Sequence, residues 1–125
     1  MTDTATRTTL ADDVRTALEA CGVDLSVVSG DPGSTTAVSS PITGEPLVGA
    51  RLDTVADIDA AIGRAAEAFP AWRDTPAPLR GQLVKRWGEL LTEHKVHLAT
   101  LVTAEVGKTP SEALGEVQEL SLIHI

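Results

Sequence analysis

Four groups of residues carry side chains or turns that could do chemistry. Glu93, His94 and His97 set a carboxylate and two imidazoles close together, donor types that hold zinc. A structural zinc site usually takes four ligands, and no cysteine lies nearby, so the trio reads as a solvated helix junction. Gly107-Lys108-Thr109 has the last letters of a phosphate-binding loop, in which backbone N–H groups and a lysine cradle phosphate oxygens. That loop also needs a glycine where Val102 stands and a strand running directly into it. A helix C-cap with a lysine beside the negative end of the dipole fits these residues better. Gly30-Asp31-Pro32-Gly33 lacks the third glycine of a dinucleotide fingerprint, and Pro32 removes an N–H donor; it reads as loop punctuation. Cys21 would be a nucleophile only with a lowered pKa, and Arg15 is the one cation near it in sequence. It lies on an apolar stripe and reads as a small buried hydrophobe. From their own chemistry, then, no residues are assigned as catalytic, cofactor-binding or metal-binding.

The elements that would position such groups are mostly helical. Leu10, Val14, Ala17, Leu18 and Cys21 share one helix face. Thr9 is its expected N-cap with Asp12 three residues on, and Gly22 stands where a C-terminal glycine belongs. Residues 30–35 read as a loop. Residues 37–40 and 45–52 read as two extended runs around the turn Pro41-Ile42-Thr43-Gly44, a hairpin. Thr54 and Asp57 open a second helix through Ile58, Ile62, Ala65 and Phe69, and Pro70 is expected to end it. Pro70, Pro76 and Pro78 make residues 70–78 a stiff connector. A third helix is expected to start near Pro78 and to bury Leu79, Leu83, Val84, Trp87, Leu90 and Leu91. Leu98, Leu101 and Val102 form a further stretch capped by Gly107, and Thr109-Pro110-Ser111-Glu112 starts the last helix. One short β unit cannot complete a parallel sheet.

The chain has 125 residues and a formal net charge of −8, which speaks against a basic nucleic-acid-binding face or an anionic membrane surface as partner. Hydrophobic residues make up 42%, too many for a disordered tail, and aromatics only 2%, so the core must be aliphatic. A single cysteine excludes an intrachain disulfide framework and suits a reducing, cytoplasmic setting. Neither a secretory leader nor an apolar run long enough to span a membrane is apparent. On these grounds alone the chain is an acidic, mostly helical segment. A non-catalytic helical interaction module and a small metal-binding protein stay open as alternatives.

Four stretches in register, from about residue 38 to 119, resemble the N-terminal part of the aldehyde dehydrogenase family. They are Ser40-Pro41-Ile42-Thr43-Gly44-Glu45-Pro46, the run from Asp57 through Phe69-Pro70-Ala71-Trp72-Arg73, Arg80 with its aliphatic helix, and Glu105-Val106-Gly107-Lys108-Thr109 followed by Glu116-Val117. Pro76 to Gly81, Leu101-Val102 and Gly115 to Glu119 further resemble the antiquitin subgroup, which oxidises α-aminoadipic semialdehyde, in equilibrium with piperideine-6-carboxylate, in lysine metabolism. The resemblance implies an α/β enzyme with a Rossmann-like cofactor domain, using NAD or NADP, acting on a small-molecule aldehyde and forming a homo-oligomer. It implies a cysteine thiolate that attacks the aldehyde, N–H donors for the oxyanion, hydride transfer to nicotinamide, and a glutamate-activated water that hydrolyses the thioester.

The same resemblance places this chain in about the first quarter of such an enzyme, with the reacting residues and nucleotide-binding strands expected beyond residue 125. Cys21 does not match the catalytic cysteine's surroundings. Glu105, Lys108 and Glu116 match the family pattern as helix-end and packing positions. The piece itself is expected to be mostly α-helical with one β-hairpin, to bind no cofactor and to be inactive. Residues 1–37 read as an N-terminal extension with one helix, and 38–119 as the N-terminal part of the cofactor-binding domain. Residues 120–125, Leu-Ser-Leu-Ile-His-Ile, read as a non-native tail, because a common sequencing-library transposon end encodes those six residues in frame. The plainer reading of the tail is an apolar strand or helix end.

Overall fold

The structure is a computed structural model and describes residues 9–28 and 35–123. Its elements are α1 (Leu10–Ala20), α2 (Leu25–Val28), β1 (Thr35–Ser39), β2 (Pro46–Arg51), α3 (Val55–Asp74), α4 (Ala77–Glu93), α5 (Lys95–Val106) and α6 (Pro110–Ile123). The expected mix of helices and one hairpin is what the fold contains. The loop expected at 30–35 and the glycines Gly30 and Gly33 lie outside the described residues, apart from Thr35, which begins β1.

Three helices start as their sequences dictate. The Thr9 hydroxyl accepts the Asp12 N–H, and the Asp12 carboxylate accepts the Thr9 N–H at 3.0 Å and its hydroxyl at 2.7 Å. Thr54 and Asp57 repeat this box at α3, and Thr109 and Glu112 repeat it at α6. Each box satisfies N–H groups that a helix leaves without intrahelical partners. Gly22 and Gly107 adopt φ of 78° and 79° at helix ends, a conformation costly for any residue with a Cβ. The short α2 follows from Asp24, whose carboxylate accepts the Ser26 N–H at 2.9 Å.

β1 and β2 pair antiparallel, Val38 opposite Val48, with an irregularity between Val38 and Ser39. Around this hairpin the chain builds two apolar clusters. In the first, Val14 of α1, Leu47 of β2 and Ala104 of α5 are buried, with Leu10, Leu18, Val48 and Leu101 around them. In the second, Ala99 of α5 meets Ala113 and Val117 of α6, flanked by Leu98, Val102 and Leu114. Alanines at these crossings let the helix axes approach closely.

Two expectations fail. Pro70 does not end α3, which continues to Asp74. The proline forfeits one backbone bond, to the Ala66 carbonyl, on a turn whose residues are all exposed, where water replaces the lost donor. The helix end is then rebuilt beyond it. Thr75 Oγ1 donates to the Ala71 carbonyl at 2.8 Å, and Arg80 Nη1 donates to the carbonyls of Arg73 and Thr75 at 3.2 and 2.7 Å. The stiff connector therefore shrinks to Thr75-Pro76, with Pro76 the N-cap of α4 and Pro78 in its first turn. Nor does α4 bury its apolar row: Leu79, Leu83, Trp87 and Leu90 are exposed, Val84 and Leu91 half-buried, and Gly88 alone is buried. The helical period made α4 amphipathic, but although α4 packs on α6, it buries only Gly88, with Val84 and Leu91 half-buried.

Candidate functional site

The most constrained place in the fold is where the hairpin turn meets the end of α5. Ser40 is buried; its hydroxyl donates to the Ala104 carbonyl at 2.6 Å and accepts the Ile42 N–H at 3.2 Å. Gly44, at φ 75°, closes the turn through its N–H to the Ser40 carbonyl at 2.8 Å. The Pro41 ring packs on Gly107: a Cβ built there would stand 3.1 Å from Pro41 Cγ. Glycine at 107 thus serves the helix end and this close approach together. Beside it, Lys108 Nζ pairs with the Glu116 carboxylate, tying the α5–α6 junction to the body of α6.

This arrangement answers the phosphate question. Gly107-Lys108-Thr109 links two helices, its glycine is covered by a proline ring, and its lysine is engaged by a glutamate. A phosphate cradle needs open N–H groups and a free cation. Among the described residues the sheet is two-stranded and antiparallel, with no parallel-strand switch point.

The other sequence candidates stand apart from it. His94 is the hinge between α4 and α5, its N–H donating to the Leu90 carbonyl and its carbonyl accepting the Leu98 N–H, both at 3.0 Å. Among the described residues no three His, Cys, Asp or Glu side chains gather as a metal would require. Cys21 is half-buried rather than buried, at the C-cap of α1, and partial burial pushes its thiol pKa up, away from the thiolate a nucleophile needs. Ser40 and its partner Ala104 escaped sequence reasoning. A serine before a proline at a turn was the only local signal, and nothing local points 64 positions ahead.

A second surface is defined by exposure. Every residue of α3 is exposed, including Ile58, Ile62 at 63%, Phe69 and Trp72, and Leu83 of α4 is 60% exposed. The Arg80 guanidinium lies 5.9 Å from the Trp72 ring centroid and holds the α3–α4 elbow. No helix among the described residues is long and apolar enough to cross a membrane.

Comparison with known proteins gives these surfaces a context. Residues 27–124 match the model of the aldehyde dehydrogenase family. Malonate-semialdehyde dehydrogenase 2 of Geobacillus kaustophilus is 45% identical over 86 residues, 69% of this chain and 18% of that protein. Malonate-semialdehyde dehydrogenase 1 of Geobacillus thermodenitrificans is 45% identical over 84 residues, 67% of this chain and 17% of that protein. The malonate-semialdehyde dehydrogenase of Halalkalibacterium halodurans is 44% identical over 91 residues, 73% of this chain and 19% of that protein. The chain thus matches less than a fifth of the length of these curated relatives. Their names carry malonate semialdehyde, not α-aminoadipic semialdehyde, so they do not support the antiquitin subgroup or its place in lysine metabolism.

Proposed function

The chain belongs to the aldehyde dehydrogenase family, and from that premise we propose that it is the N-terminal portion of an NAD- or NADP-dependent enzyme that oxidises an aldehyde to the acid. The observation that carries this reading is the family match across residues 27–124. The exposed apolar faces of α3 and α4 agree with it, because such surface in a longer protein is covered by other elements. In this reading the portion by itself binds no cofactor and is inert. NAD(P) binding and the reacting cysteine belong to the remainder of the enzyme. In this reading the active protein is a cytoplasmic homo-oligomer and residues 38–119 are the start of its cofactor-binding domain; the family match runs through residue 124, so the foreign tail at 120–125 rests on the sequence of those six residues alone.

The substrate class is a semialdehyde bearing a carboxylate. The relatives' names favour malonate semialdehyde, while Pro76 to Gly81 and Gly115 to Glu119 favour α-aminoadipic semialdehyde. Long-read sequencing through the Glu119 codon, expression of the uninterrupted gene, and assay of reduced nicotinamide with both semialdehydes test all of this. Turnover is expected from the long product and none from the 125-residue chain. The reading fails if the long product oxidises neither substrate or if the short chain turns over by itself. The tail assignment fails if the locus encodes Leu120–Ile125 without interruption.

One observation favours a second reading, a non-catalytic helical module: α1, the hairpin, α5 and α6 already enclose two apolar clusters. A module melts cooperatively as a monodisperse species, whereas the portion of an enzyme associates as concentration rises.

A further inference from the structure

We propose that α1 is a strap that opens independently, seated in an apolar slot between β2 and α5 that the remaining fold keeps formed. Three observations carry this. The first is the chemistry of the seam. α1 meets the body through Leu10, Val14, Ala17 and Leu18, and its hydrogen bonds are its own, such as the Thr9–Asp12 box and Thr16 Oγ1 donating to the Asp12 carbonyl at 2.9 Å. Among the described residues no ion pair or side-chain hydrogen bond joins α1 to another element. Directional bonds to β2 or α5 are therefore no part of what holds it.

The second is the quality of the fit. Three cavities lie along this seam: about 250 Å³ between Leu10 and α5–α6, about 120 Å³ between Val14, Leu18 and the hairpin, and about 330 Å³ beside Thr9 and the hairpin turn. All three are clefts open to solvent, so their lining atoms face water in place of packed neighbours and the seat is underfilled on several sides. The cavity of about 250 Å³ is also lined by Thr103, whose buried hydroxyl finds no hydrogen-bond partner.

The third is that the slot does not need α1 for its shape. The hairpin is fixed to α5 by Ser40 on Ala104 and by Pro41 on Gly107, and α5 is fixed to α6 by the second cluster. Opening α1 uncovers Leu47, Val48 and Leu101 without breaking any of these contacts. The occupant of the slot is α1 itself, and its seat is an opening unit of low local stability.

Native-state hydrogen exchange on the 125-residue chain tests the proposal. Amides 14–20 of α1 are expected to exchange at least about tenfold faster than amides 99–106 of α5. Val14→Ala should accelerate α1 by about a further tenfold while α5 changes less than about twofold. One shared rate for the two helices, or a common acceleration by Val14→Ala, overturns it. If Val14→Ala does not fold, the difference between α1 and α5 in the unsubstituted chain decides the question.

Discussion

α1 and α3 begin alike and end differently. Both open with a Thr-x-x-Asp box, both carry apolar residues at helical spacing, and both are joined to their neighbours through short turns. Yet α1 buries Val14 and Ala17 against β2 and α5, while α3 buries nothing. The difference lies in the neighbour, not in the helix. Local sequence fixes where a helix starts and which face is apolar; a complementary surface has to be supplied from elsewhere before that face leaves water. Within the described residues α1 has such a surface, and α3 has only the Arg80 elbow beside it.

The largest test of this contrast is a pair of truncations. Leu47→Ala in the first cluster should cost about 2–5 kcal/mol in denaturant unfolding, because it removes buried methyl groups and leaves a void. Leu83→Ala on exposed α4 should stay within about 0.5 kcal/mol and reduce any self-association. Equal losses would break the comparison by showing that α4 is packed in solution. Next comes Ser40→Ala. Without the hydroxyl the Ala104 carbonyl loses a buried partner, so a loss of about 1–3 kcal/mol is expected, with faster amide exchange at Gly44.

Cap deletions sharpen the contrast further. Thr9→Ala and Thr54→Ala each remove the same box, worth about 1 kcal/mol. At α1 the loss should appear in the unfolding midpoint of the packed region. At α3 it should appear only as lost helicity by circular dichroism, because no cluster reads it out. The smallest effect is that of pH. Hydrogen bonds from Thr9, Thr54 and Thr109 hold the carboxyls of Asp12, Asp57 and Glu112 below their ordinary values. A carboxyl lowered on folding binds fewer protons in the native state, so its contribution is present above the unfolded pKa and fades as pH falls through the folded one. Helix content should hold at neutral pH and decline below about pH 4 as the three boxes are protonated, read by circular dichroism against pH.

Much of the local fold was legible because its signals are short-range. Thr9 with Asp12, Thr54 with Asp57, Thr109 with Glu112, and the glycines at 22 and 107 declared their helix ends within a few residues. Pro70 misled because a proline's penalty is weighed against its surroundings, and an exposed turn with Thr75 and Arg80 beyond it tolerates the missing donor. The α4 row misled because period reports amphipathicity rather than burial, and most of the row stays exposed. The four-residue α2 was overlooked, since it is too short for a period and rests on Asp24 alone. Cys21 was expected to be buried on the apolar stripe and is half-buried at the C-cap of α1, because the stripe's packing ends before the helix does. The docking of Ser40 on Ala104 was invisible, since neither residue is distinctive in its own neighbourhood.

That docking also imposes an order in time. On a ribosome the Ser40 hydroxyl is synthesised 64 residues before its acceptor at Ala104. At typical synthesis rates of roughly 5–20 residues per second, the nascent hairpin waits about 3–13 s for that partner, and longer while the exit tunnel hides it. Through that interval the strand pair has its own ladder and the earlier α1 and α2 to pack on but lacks α5, and an isolated hairpin is marginal in water. Translation speed across α4 and α5 therefore sets how long Leu47 waits for Leu101 and Ala104 to complete its cover.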